Sequence, residues 1–208
     1  MHPVQIIEPT VVKKLFDGTE IDCIIVEISG DEYDACVTAS MGGNFWGNSK
    51  TGAYGAGLGK TIDDEFKPAR TGLLGQMAFG KLSNQPVDLK YRKGGDRFDN
   101  KIGRHLIDIK CSMGNKGEGL IQHTNEFGKK NEQALSKDFY IFAYIESEDR
   151  IRKKCKIVIV GYATRQDIQE CETKIGYKGN GHLNYVARFG KLRSIVKFLE
   201  LKRQIYGN

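Results

Sequence analysis

Arg92 to Ser112 reads RKGGDRFDNKIGRHLIDIKCS, and the rest of the chain is arranged around it. Two strand-like runs, Phe98–Ile102 and His105–Cys111, flank Gly103-Arg104. A Gly-X pair between two such runs predicts a tight hairpin, with glycine taking the positive φ that opens a type II′ turn. In that register Ile102 faces His105, and Asp99 faces Asp108. Side chains alternate along a strand, so Asp108 and Lys110 share one face, while Ile107, Ile109 and Cys111 share the face that suits a core.

Like charges opposite one another on a sheet repel, so something must offset Asp99 and Asp108. A divalent cation is the natural partner, since Mg²⁺ is held by one or two carboxylates, waters and substrate phosphate. Lys110, one pleat along, can orient water or hold a phosphate oxygen. Metal and ammonium together are equipment for phosphodiester hydrolysis. The plainer reading of a bare D-x-K is an edge hairpin whose charges point into solvent. The turn, the facing Asp99 and the preceding Gly94-Gly95-Asp96 favour a site.

Asp99, followed after eight residues by Asp108-Ile109-Lys110, resembles the PD-(D/E)XK phosphodiesterase superfamily, and GGDRFDNKIGRHLIDIK is similar to its phage-type members. Upstream, Arg70 to Phe79 resembles the first core helix of that family; downstream, Lys137 to Phe142 resembles its next core strand. The resemblance implies an α/β, restriction-endonuclease-like fold with a mixed central sheet flanked by helices. It implies an Mg²⁺-dependent endonuclease acting on DNA, with Mn²⁺ able to substitute. It assigns Asp99, Asp108 and Ile109 as metal positions, Lys110 as the group that positions or activates water, and Gln76 as completing the site. Gln76 is the departure: the family usually carries a charged Glu there, so a neutral amide should lower cation affinity. The alternative function is a nucleic-acid-binding protein that keeps the nuclease fold with a weakened or inactive metal site.

A chain of 208 residues is expected to form a single domain, 1–208, with residues 1–67 as an extension of strands and a Gly-rich loop, and 68–208 as the nuclease-like core. No apolar run reaches the length of a membrane span, and the start MHPVQIIEP lacks the layout of a secretion signal. The five cysteines form no C-x-x-C, which points to a reducing cytoplasm (the host's, for a phage-encoded chain) and away from a zinc or iron–sulfur framework. From Arg150 onward 14 basic residues meet 4 acidic ones, a net +10, whereas the preceding residues net −4. A basic end attracts a phosphate backbone, although a solvated, solubilising surface explains the same count. DNA is the expected partner, no membrane is, and a homodimer is a compatible assembly.

Along the chain, Ile21–Ile28 reads as a strand after the turn Asp17-Gly18, and Asp34–Ser40 as its returning partner. The glycine-rich stretch 41–60 ends in Gly59-Lys60-Thr61. A P-loop would need glycine where Tyr54 stands, so ATP binding through Lys60 is disfavoured. Phe45, Trp46 and Tyr54 can stack on bases or pin the loop to the core. Asp63, Asp64 and Glu65 suit a helical first turn that Pro68 interrupts, and a helix restarts at Thr71 as N-cap. Asp138–Ile145 and Cys155–Tyr162 form a second hairpin, Thr164 caps a short helix, and Leu192 to Leu201 repeats at helical spacing. His123 is at most a weak phosphate ligand, because a lone histidine is usually structural.

Overall fold

The computed structural model describes residues 9–41, 62–89, 99–123, 135–175 and 183–206. The longest apolar runs of the chain lie at its centre. Strands β6 (Phe139–Asp149) and β7 (Lys154–Thr164) form an antiparallel hairpin in which Tyr140 to Ile145 and Ile157 to Val160 are all buried. Continuous burial of that kind requires cover on both faces of the sheet. On one side β7 pairs with β2 (Thr19–Ser29), which pairs with β1 (Thr10–Phe16). On the other side β6 runs parallel to β4 (His105–Met113), which forms a hairpin with β3 (Asn100–Ile102). The order β1-β2-β7-β6-β4-β3 therefore contains one parallel pair among antiparallel ones, giving the mixed sheet expected.

Helices cover one face of this sheet: α1 (Asp31–Met41), α2 (Ile62–Ser83) and α4 (Ile195–Tyr206) enclose Ile141, Ala143, Ile157 and Ile159 with Leu74, Met77 and Phe198. The other face is covered by a second antiparallel sheet, β5 (Glu118–Gln122), β9 (Leu183–Arg188) and β8 (Thr173–Ile175), over Tyr140, Phe142 and Tyr144. No helix among the described residues is long and apolar enough to cross a membrane.

Both turns read from glycine pairs form. Asp17 and Gly18 have φ of 49° and 78°, the two positive values of a type I′ hairpin, and Gly103 has φ of 57°. Thr164 caps the short helix α3 (Arg165–Gln169) in a reciprocal box with Asp167.

Four expectations change. Residues Asp31–Met41 form a helix, not a returning strand: Tyr33, Cys36, Val37 and Ser40 recur at helical spacing behind an acidic first turn. Helix α2 runs through Pro68, since a proline in its second turn removes one ladder bond while Phe66, Leu73, Leu74 and Met77 stay anchored in the core. Thr71 is accordingly no N-cap; its hydroxyl donates to the Lys67 carbonyl one turn back. The last helix begins at Ile195, because Arg193-Ser194 forms a short strand, β10, against β7. Finally, the 67/68 division falls within α2, and the N-terminal strands continue the central sheet through the β2–β7 ladder.

Candidate active site at the β3–β4 hairpin

The pairs Asn100–Ile107, Lys101–Leu106 and Ile102–His105 fix the hairpin register, and one step further along it Asp99 stands opposite Asp108. Strand β3 ends there, yet Asp99 remains tied to β4. Its N–H donates to the Ile107 carbonyl at 3.0 Å, and its Oδ2 accepts the Ile109 N–H at 2.6 Å. Its Oδ1 accepts from Gln76 Nε2 at 2.9 Å. Helix α2 can place Gln76 there because Gly75 lies against β4: a Cβ on Gly75 would come within 2.5 Å of Cys111 Cβ. Gln76 thus engages the site through its amide N–H.

Asp108 and Lys110 lie two residues apart on the same face, with Lys110 Nζ 2.7 Å from Asp108 Oδ2. Half-buried between these groups, the Asp99 carboxyl is pushed up to about 7. Burial is the main cause and the negative charge of Asp108 the next, while the Ile109 N–H and Lys110 pull the other way. A buried carboxyl beside a second negative charge holds its proton more tightly than a free one, as expected where two acids meet in one site. Each carboxylate keeps lone pairs beyond the contacts named. A divalent cation fits this donor set, because its charge would relieve the repulsion that helps to raise Asp99. Among the described residues no group of three or more His, Cys, Asp or Glu side chains gathers, so such an ion would take two carboxylates and complete its shell with water. Ile109 brings only its main chain to the site; its side chain is buried against α2.

A cavity of about 470 Å³ opens beside Lys110, along the edge of β4 that β3 leaves unpaired. Ser112, Lys116, Gly119 and Leu120 line it on one side and Gly72 of α2 on the other. Sequence reasoning missed Gly72, Ser112 and Lys116. The one signal for Gly72 was its spacing, one helical turn before Gln76.

The other candidates stand apart. His123 is half-buried at the end of β5, with its ring 4.6 Å from that of Tyr185 and its Nδ1 buried without a partner. Lys60, Phe45, Trp46, Tyr54 and Gly94-Gly95-Asp96 lie outside the described residues. Six of the fourteen basic residues of the C-terminal quarter pair with acids from earlier in the chain, among them Lys153 with Asp34 at 2.6 Å, Lys154 with Glu27 at 3.3 Å and Arg165 with Asp138 at 3.8 Å. The cations at the cavity, Lys110 and Lys116, come from outside that quarter.

Comparison with protein families, with curated proteins and with solved structures finds no match, so the reading of this site rests on its own geometry.

Proposed function

We propose that the chain is an Mg²⁺-dependent endonuclease of the PD-(D/E)XK type that hydrolyses DNA phosphodiester bonds. The observation that carries this reading is the meeting of Asp99, at the end of β3, and Asp108 of β4, with Lys110 Nζ 2.7 Å from the second of them. Asp99 and Asp108 would hold the cation, which when bound supplies Lewis-acid polarisation of the phosphate and a lowered pKa for an attacking water. Asp99 would bind the cation as a carboxylate, so its raised pKa makes cation binding favour higher pH. Gln76 is a positioning residue: its N–H, with that of Ile109, fixes the plane of the Asp99 carboxylate. Lys110 brings positive charge to the phosphate as negative charge develops on its oxygens, and can orient the water. Asp99, Asp108, Lys110 and Gln76 all belong to one chain, so no second copy is needed to assemble them. All five cysteines are free thiols, which suits a reducing cytoplasm.

A second reading has its own support. Gln76 offers a neutral amide donor where the resemblance implies a charged ligand, which favours a DNA-binding protein with a weakened metal site.

The test is cleavage. Plasmid and branched DNA are incubated with the chain in Mg²⁺ or Mn²⁺, alongside Asp108→Ala and Lys110→Ala. Each variant is expected to lose on the order of 10²-fold or more of the rate. A genuine activity indifferent to both changes removes the assignment.

A further inference from the structure

Three glycines interrupt helix α2, and two of them are explained by packing. A Cβ on Gly75 would meet Cys111 at 2.5 Å, and one on Gly80 would meet Val87 Cγ2 at 2.3 Å. Gly72 is different: a Cβ there meets nothing within 4 Å among the described residues. Glycine inside a helix costs stability relative to alanine, so an unpacked one calls for another cause. Gly72 lines the cavity beside Lys110, on the same side of the helix as Gln76. Any side chain at Gly72 would narrow that cavity.

The cavity's size and lining say what it keeps room for. Its volume of about 470 Å³ lies within the range of small-molecule sites, roughly 300–1,000 Å³. Intact duplex, whose major groove alone is ~12 Å wide, cannot enter such a space. The apolar part of the lining that reaches the surface is Leu120, since Ala143 and Phe189 are buried, and a half-buried apolar side chain can pack against a base. The rim holds the exposed Lys116 together with Lys110, placed for backbone phosphate. Ser112 donates its hydroxyl to the Gly114 carbonyl at 3.0 Å and keeps lone pairs for a base N–H. Glu118, also in the lining, is neutralised by Lys174.

We infer that this cavity receives one unpaired nucleotide next to the scissile phosphate, so that the substrate is single-stranded or locally opened DNA. The inference rests on the reading of Asp108 and Lys110 as the cleavage centre.

The test reads binding rather than turnover. Fluorescence anisotropy in EDTA compares a labelled 12-nucleotide single strand with the same sequence as duplex, for the wild type, Gly72→Leu and Lys116→Gln. The single strand is expected to bind more tightly than the duplex. Gly72→Leu is expected to weaken single-strand binding about 10-fold while leaving duplex binding and thermal unfolding unimpaired. Lys116→Gln, a change at an exposed side chain, should weaken it several-fold and lower its salt dependence. Equal affinity for both DNA forms, wild-type binding by both variants, or no DNA binding at all would each overturn the inference. The two readings fail separately. A chain that cleaves no DNA, yet binds single strands through Gly72 and Lys116, loses the nuclease reading and keeps the subsite. Cleavage that needs Asp108 but ignores Gly72→Leu keeps the nuclease and loses the subsite.

Discussion

Asp99 Oδ2 accepts the Ile109 N–H at 2.6 Å, so a side chain continues the hydrogen-bond ladder at the point where strand β3 stops. That bond holds the carboxylate beside Asp108, whose negative charge adds to burial in raising the Asp99 carboxyl.

The pH dependence of stability should show it. The folded Asp99 carboxyl lies above its ordinary 3.8, at about 7, so across that window the folded chain keeps a proton that the unfolded chain has released. This group therefore contributes stability at low pH and loses the contribution as pH rises through 7. In urea denaturation at pH 5 and pH 8, Asp99→Asn is expected to flatten the difference. At pH 8 the variant should be more stable than the wild type, the direction set by the raised Asp99 carboxyl. Asparagine keeps an acceptor for the Ile109 N–H, so the fold is not at issue.

Gly75 sets the distance between helix and hairpin. In Gly75→Ala the new methyl would meet Cys111 Cβ at 2.5 Å, forcing α2 off β4 and Gln76 away from Asp99. The expected cost is ~1–3 kcal/mol in stability, by the usual penalty for overpacking. Gly72→Ala, with open space for its methyl, should instead gain about 0.4–1 kcal/mol. Thermal unfolding of the two variants side by side checks the contrast.

Far from the hairpin, Glu148 carries a buried network. Its carboxylate meets Arg70 Nε at 3.1 Å and accepts the Tyr33 hydroxyl at 2.8 Å, joining β6 to both α1 and α2. With the Arg70 and Glu148 side chains 4% and 7% exposed, Glu148→Gln removes the negative charge that faces both Arg70 and Arg150 and is expected to cost about 1–3 kcal/mol. Chemical denaturation of the variant beside the wild type measures this.

The hairpin was legible because its information is local. Gly103-Arg104 fixes the turn, the turn fixes the register, and the register brings Asp99 opposite Asp108. The β6–β7 hairpin was legible for the same reason: two β-branched and aromatic runs flank a charged connection. Helix α1 escaped because its stripe includes Ser40, which reads as polar but is fully buried, its hydroxyl satisfied by the Val37 carbonyl. Pro68 looked like a stop because local rules say nothing of the core contacts that carry α2 through it. The cavity had no local signal. It forms where β5 crosses the sheet with Gly119 against the Phe142 ring, a contact set by tertiary packing alone. The linear count of the basic quarter could not show which of its charges are paired, since Asp34 and Glu27, which answer Lys153 and Lys154, lie more than 100 residues away.

The most direct measurement is calorimetric titration of Mn²⁺ into the wild type, Asp99→Asn and Asp108→Asn at pH 6 and pH 8. A site built on these two carboxylates gives saturable heat in the wild type that is tighter at pH 8, with a proton released on binding, and none in either variant. Heat that survives both substitutions places the ion elsewhere. A wild type that shows no heat at either pH, while still binding DNA in a salt-dependent way, contradicts the metal-dependent nuclease and leaves the DNA-binding protein.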